Sequence, residues 1–180
     1  TRRGLKLAEV GEGDMAAHLR PTSDRVREAI FNLLINAHGN PVSGARVLDL
    51  FAGTGALGLE ALSRGASSAT FVDDGAKALA LVRANIAKMR AEDETRVIRQ
   101  DVTRLGPNPG AGYDLVFLDP PYGKGIGEVA LAAIRKDGWL APDAMVVWEE
   151  GVASSAPEGF ALVDQRKYGD TVVTLMRAPE

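Results

Sequence analysis

Apolar positions along this chain fall into two alternating registers. Short, nearly continuous apolar runs occur at Val47-Leu48-Asp49-Leu50, Ala69-Thr70-Phe71-Val72, Arg96-Val97-Ile98-Arg99-Gln100, Tyr113-Asp114-Leu115-Val116-Phe117-Leu118 and Ala144-Met145-Val146-Val147-Trp148. Their length and their β-branched and aromatic content predict buried strands. Helically spaced apolar residues lie between and before them. Ser23 or Asp24 can cap a helix running to about Asn36, with Val26, Ile30, Leu33, Leu34 and Ala37 on one stripe. Leu57, Ala61 and Leu62 share a face after the first strand. A helix over Ala76 to Met89 turns Leu79, Val82, Ile86 and Met89 inward, and another spans Ile126 to Lys136. Strand and helix in alternation predict a doubly wound α/β fold with a mostly parallel sheet. Near the end, Phe160 to Lys167 and Thr171 to Met176 flank Tyr168-Gly169-Asp170 and read as a hairpin. The loops fall at Gly39 to Gly44 and at Gly106 to Gly112. The expected organisation is one domain over residues 1–180: an irregular or hairpin arm at 1–22, a helix at 23–38 and a Rossmann-like core at 44–177. No internal repeat is visible.

Two strand ends carry residues suited to chemistry. The run ending at Leu118 is stopped by Asp119-Pro120-Pro121-Tyr122. Neither proline can donate a ladder hydrogen bond, so a rigid turn follows at a strand's carboxyl end. It presents a carboxylate, a proline carbonyl and an aromatic face. That set suits a flat ring with an exocyclic amino group. Asp119 accepts one amino hydrogen, the Pro120 carbonyl accepts the other, and Tyr122 stacks on the ring, an interaction of about 1–3 kcal/mol per base. The other end is Asp49-Leu50-Phe51-Ala52-Gly53-Thr54-Gly55, continuing through Gly58 to Glu60. Gly53 and Gly55 let a ligand approach the backbone closely. Gly53-x-Gly55-x-x-Gly58 also fits the dinucleotide fingerprint, which by itself is weak. Asp49 changes the balance, because its carboxylate would repel a pyrophosphate and attract an ammonium. S-adenosylmethionine carries an ammonium and a sulfonium and has no phosphate, so the pattern favours it over NAD.

Further strand ends extend the cofactor set. Asp73 closes the second strand about twenty positions after the glycine turn, where an acidic residue can bind ribose hydroxyls. Asp74 beside it reads as solvated. Asp101 closes the third strand and is placed to meet an adenine amino group, although strand-end aspartate is also a common helix cap. The first and fourth strands are expected to lie side by side where strand order reverses, which brings the two turns together.

At these residues the chain resembles class I S-adenosylmethionine-dependent methyltransferases, among the amino-methyltransferases with an Asn/Asp-Pro-Pro-aromatic signature. It is most similar to the RsmD-type family of small-subunit ribosomal RNA guanine-N2 methyltransferases. Three more stretches carry the resemblance: Arg20-Pro21-Thr22-Ser23-Asp24-Arg25-Val26-Arg27-Glu28 with Phe31-Asn32, Leu57 through Ala66, and Tyr168-Gly169-Asp170-Thr171. It runs from about Gly4 to Leu175. The resemblance implies a seven-stranded sheet ending in an antiparallel hairpin, S-adenosylmethionine as cofactor, and N2 of a guanine in small-subunit ribosomal RNA as acceptor. Two features depart from the family. The basic, glycine-rich start is cut short at Thr1-Arg2-Arg3-Gly4, without an initiator Met, and Asp73 stands where Glu is expected, which keeps the acceptor. The alternative readings are an adenine-N6 methyltransferase of RNA or DNA, since the same turn grips an adenine amino group, and an NAD-binding oxidoreductase. The second leaves Asp49 and the Pro-Pro turn unexplained.

Composition narrows the setting. A chain of 180 residues that is 46% hydrophobic can bury a full core in one domain. It has no cysteine, which excludes a disulfide framework, a thiol nucleophile and a thiolate zinc site. His18 and His38 are isolated and read as surface residues. No metal is expected. No apolar run reaches the roughly 18 residues of a membrane span, and no signal peptide is visible, so a cytoplasmic protein is expected; a monomer is expected as well. The net charge of −3 argues against a free-standing high-affinity nucleic-acid binder. A local basic patch is nonetheless present in Arg2, Arg3, Lys6, Arg20, Arg25 and Arg27, with Lys124 after the Pro-Pro turn. Lys6, Arg20, Arg25 and Lys124 are the candidate RNA contacts. A small patch on an acidic protein suits a partly assembled ribosomal subunit, in which other proteins help to position the target.

Overall fold

The structure, a computed structural model, describes residues 23–180. The chain order is α1 (Asp24–Ala37), β1 (Arg46–Leu50), α2 (Ala56–Ser63), β2 (Ser68–Asp73), α3 (Ala76–Lys88), β3 (Thr95–Arg99), β4 (Tyr113–Leu118), α4 (Ile126–Lys136), β5 (Leu140–Glu150), β6 (Ala161–Tyr168) and β7 (Thr171–Arg177). Short 3₁₀ turns precede and follow β3. The seven strands form one sheet in the order β3-β2-β1-β4-β5-β7-β6. All neighbouring pairs from β3 to β5 are parallel, and β7 runs antiparallel to both β5 and β6. This is the Rossmann-like sheet with a terminal antiparallel hairpin expected from the sequence. The arm at residues 1–22, with Lys6, His18 and Arg20, lies outside the described residues.

Side-chain alternation divides the core into two layers. Val47 of β1, Phe71 of β2, Leu115 and Phe117 of β4 and Val147 of β5 face α1, α2 and α3. Leu48, Leu50, Val72, Val116, Leu118 and Trp148 face the opposite way, toward α4 and Trp139. Asp49 therefore shares the α2 face with Val47. Strand periodicity alone aims its carboxylate beneath the helix that follows the glycine turn.

Local chemistry explains most element boundaries. The Ser23 hydroxyl accepts from the Val26 amide at 3.2 Å and caps α1. The expected α1 stripe is buried at Ile30, Leu33 and Leu34, with Val26 packed against the core, and departs from expectation at one end. Ala37 is exposed, whereas Phe31 is fully buried and its ring packs 5.6 Å from that of Phe117. Strand β5 begins at Leu140, earlier than the expected Ala144, and ends at Glu150. Its pairing with β4 shifts register between Tyr113 and Leu115, and Asp143 has φ 60°, the irregularity that lets Pro142 sit inside a strand. His38 is not a plain surface residue. Its Nε2 lies 2.9 Å from Asp164 Oδ2, joining the end of α1 to β6. Among the described residues, no helix is long and apolar enough to cross a membrane.

Candidate active site

Strands β1 and β4 are neighbours in parallel register, with Leu50 beside Leu118. The residues just beyond them, Phe51 and Asp119, therefore emerge together at the carboxyl edge. The Asp119 amide reaches back to the Leu50 carbonyl at 3.5 Å. The sequence expectation that the two turns meet is fulfilled by this register.

The first turn is tightly wound and buttressed. Phe51, Gly53 and Gly55 have φ of 58°, 58° and 79°. A left-handed conformation is unusual for a bulky side chain, so Phe51 is held there by its surroundings. The Ala52 amide donates to the Val72 carbonyl at 3.1 Å, and the Gly55 amide to the Ala52 carbonyl at 2.8 Å. From α3, the fully buried Asn85 donates to the Thr54 carbonyl at 2.9 Å. Asn85 escaped the sequence reading, though a signal existed: it is a polar residue on the apolar stripe with Val82 and Ile86.

Asp49 is 2% exposed, and its Oδ2 accepts from the Gly58 amide at 3.0 Å. Burial raises its pKa well above the usual carboxylate range; the Gly58 amide opposes this, while the charges of Asp119 and Asp73 add to it. Asp73 holds two backbone amides, with Oδ2 on Gly53 at 3.1 Å and Oδ1 on Gly75 at 2.9 Å. It thereby ties the glycine turn to the start of α3. Asp74 is exposed. Asp101 sits at the end of β3 and caps the following 3₁₀ turn: its Oδ1 accepts from the Thr103 amide at 2.9 Å and from the Thr103 hydroxyl at 2.7 Å. These bonds, the hydroxyl first, hold its pKa low.

The second turn is clamped from the hairpin side. Pro120 is buried, Pro121 is exposed and Tyr122 is half-buried. The Tyr122 hydroxyl lies 3.1 Å from Thr171 Oγ1. A Cβ placed on Gly151 would stand 2.9 Å from Tyr122 Cδ2, so the ring lies flush against that backbone. The Gly123 amide donates to Glu150 Oε1 at 3.1 Å. Gly151 and Glu150 were not singled out from sequence, and Thr171 was noted only within the Tyr168–Thr171 stretch that carries the resemblance, without a role at this turn. They lie on the β5 and β7 ends, and their spacing along the chain gives no sign that they meet Tyr122 and Gly123. Of the basic residues, Arg25 is exposed on the first turn of α1, and Lys124 is exposed between Gly123 and Gly125.

The arrangement fits S-adenosylmethionine. Asp73 and Asp119 lie close enough to Asp49 for their negative charges to repel its ionised carboxylate. A cationic sulfonium and ammonium would relieve that repulsion, and a pyrophosphate would worsen it. A Cβ on Gly53 would meet only the Phe51 carbonyl, at 4.0 Å, so open space stands over the turn.

Comparison with known proteins agrees with this geometry. Residues 3–177 match a family model described as Conserved hypothetical protein 95. The chain is 39% identical over 140 residues to Ribosomal RNA small subunit methyltransferase D of Escherichia coli, covering 77% of this chain and 68% of that protein. The solved structure of yhhF from Escherichia coli superposes with a TM-score of 0.77 at 34% identity, covering 89% of this chain and 88% of that one. SMU.776, solved with S-adenosylhomocysteine, superposes with a TM-score of 0.66 at 18% identity over 84% of this chain and 49% of that one, a likeness of fold. By the family match, the identity and the paired turns of β1 and β4, this chain belongs to the RsmD-type family of class I methyltransferases.

Proposed function

We propose that the protein transfers a methyl group from S-adenosylmethionine to the exocyclic N2 of a guanine in small-subunit ribosomal RNA. The observation that carries this reading is the β1–β4 register, which sets a carboxylate-lined glycine turn beside Asp119-Pro120-Pro121-Tyr122. Asp49, Asp73, Asp101 and the Phe51–Gly55 turn would hold the cofactor. When bound, it supplies a methyl on a positively charged sulfur, which leaves with the C–S electron pair as a neutral thioether. Asp119 and the Pro120 carbonyl accept the two amino hydrogens and favour the pyramidal nitrogen, whose lone pair forms the new N–C bond. Asp119 stabilises the positive charge that builds on this nitrogen and takes the proton the nitrogen then loses. Tyr122, fixed by Thr171 and Gly151, stacks on the base. Positioning supplies much of the rate.

The RNA enters as an unpaired or flipped base, because a base within a helix cannot reach the turn. Lys6, Arg20, Arg25 and Lys124 contact phosphate, and a partly assembled subunit is the preferred substrate. The protein acts as a single-domain monomer in the cytoplasm. Incubating small-subunit RNA and particles with methyl-labelled cofactor, then digesting to nucleosides, tests the reading. Label is expected as N2-methylguanine, and faster on the particle. Label as N6-methyladenine would instead support the adenine alternative, and equal rates on bare RNA would remove the particle preference.

A further inference from the structure

A cavity of about 450 Å³ opens directly beyond the catalytic turn. Gly123, Gly125, Glu128, Glu150, Ser154 and Pro157 are among its walls. Volumes of roughly 300–1,000 Å³ are usual for small-molecule sites. Its place in the sheet is informative. Strand β4 stands between β1 and β5, so the cavity flanks the Asp119 turn on the side opposite the glycine turn. Methyl transfer needs the attacking nitrogen to approach from the side away from sulfur. With the cofactor over β1, the acceptor base comes from the β5 side, where the cavity lies.

The lining chemistry restricts the occupant. Glu150 is 8% exposed, and the Gly123 amide fixes its Oε1 at 3.1 Å. Glu128 is exposed at the first turn of α4. Two carboxylates repel a phosphate, so the RNA backbone does not fill this space. An ionised carboxylate only accepts hydrogen bonds and offers about four lone-pair sites, more than the neighbouring Gly123 and Gly151 amides and the Trp148 indole occupy. The guanine edge carries a ring N1–H beside its amino group, whereas adenine carries an unprotonated N1 beside its own.

We propose that this cavity receives the target base and that Glu150 accepts its ring N1–H, which makes Glu150 the residue that selects guanine over adenine. The inference rests on the guanine-N2 reading above and explains how a turn that grips either amino group is made specific. Burial raises the Glu150 pKa, the Gly123 amide and Trp148 indole lower it, and the nearby Glu128 charge raises it again. An N–H donor in the cavity therefore adds stabilisation to the ionised form.

Glu150→Gln tests this in the full chain. Glutamine keeps an oxygen for the Gly123 amide and can turn its NH₂ toward the base. The substrates are small-subunit particles carrying, at the methylated position, either guanine or 2-aminopurine, which has the same amino group but an unprotonated N1. The native protein should strongly prefer guanine. E150Q should lose about tenfold to hundredfold in kcat/KM on guanine, the value of one charge-assisted hydrogen bond, and lose little or gain on 2-aminopurine. Cofactor affinity by calorimetry should not change. Equal losses on both substrates, an unchanged preference, or weakened cofactor binding would each overturn the assignment while leaving guanine methylation standing. Native-protein label on adenine would overturn the functional reading and this inference with it.

Discussion

Gly58 stands where three parts of the site converge, and adding one methyl group there tests the proposed cofactor geometry. A Cβ at this position would lie 2.5 Å from Phe71 Cε1, 2.9 Å from Phe71 Cζ and 3.2 Å from Asp49 Oδ2. The ring cannot easily retreat. Phe71 is fully buried in β2, and a Cβ on Gly55 would already stand 3.3 Å from the same edge. Overpacking of this kind costs about 1–3 kcal/mol, and a fully buried ring puts Gly58→Ala near the upper end. Alanine recovers about 1 kcal/mol through its better helix propensity in α2. The net loss is about 2 kcal/mol, or roughly 4–8 °C in Tm for a chain of this length. A second effect is independent of stability. Pushing α2 from β2 moves the Gly58 amide off Asp49 Oδ2, so S-adenosylmethionine affinity should fall about tenfold or more, equivalent to about 1.4 kcal/mol. Thermal melting by circular dichroism gives the first quantity, and titration calorimetry well below Tm gives the second. A G58A protein with native Tm and native affinity would refute both the packing argument and the placement of Asp49 in the cofactor site.

Asp49→Asn should stabilise the cofactor-free protein at neutral pH and weaken S-adenosylmethionine binding by tenfold or more. The sign follows from the raised pKa of Asp49: its contribution is fully present below the unfolded value of about 3.9 and is lost as pH rises through the folded value, so D49N should flatten that decline in a Tm series against pH. A D49N protein less stable than native at pH 7 would contradict this. Asp119→Ala should lower kcat by about 10²–10³-fold, by analogy with removing a group that stabilises transition-state charge, while calorimetric cofactor affinity holds. Loss of affinity in place of turnover would move Asp119 to the cofactor. Thr171→Val removes one contact of the Tyr122 hydroxyl and should raise KM for RNA about 2–10-fold with a smaller effect on kcat. Thr171→Ser should restore it, and failure of that rescue would assign Thr171 to the hairpin alone.

Period and punctuation made much of the fold legible. The five parallel strands, α3 and α4 are strongly patterned, and their observed bounds lie close to those expected, β5 excepted. That strand's first half crosses Pro142 and Asp143, residues that read as a break, and only the sheet pairing around a shifted register carries the strand through them. The carboxylates at strand ends were legible because each follows an apolar run at a fixed place. Their partners were not. Asp49 meets Gly58 nine residues away through strand parity, Asp73 meets Gly53 across two strands, and Glu150 meets Gly123 across the β4–β5 boundary. Such contacts depend on neighbour order in the sheet, which one sequence does not state. Asp101 shows the limit from the other side. Both of its readings were open, and the cap to Thr103 is the contact this structure contains.

The antiparallel hairpin acquires a chemical reason from its direction. In a sheet whose other strands run parallel, only carboxyl ends reach the active edge. Strand β7 runs against β5, with Val172 beside Glu150, so its first residue, Thr171, arrives at that edge instead of its last. Gly151, the residue that follows β5, comes to the same edge as Thr171. Tyr122 is caught between them, its hydroxyl on Thr171 and its ring against Gly151, where a Cβ would intrude to 2.9 Å. A parallel final strand would have presented its far end here, and the Tyr168–Thr171 turn would lie at the opposite side of the sheet. The reversal therefore brings the Tyr-Gly-Asp-Thr stretch to the Asp-Pro-Pro-Tyr turn, two segments about fifty residues apart. Tyr122 has two side-chain torsions to fix, and a stacking face held in advance loses less conformational freedom when a base arrives. Reversing the last strand thus lets the sheet's most distant segment orient the ring to which the proposed mechanism assigns base stacking.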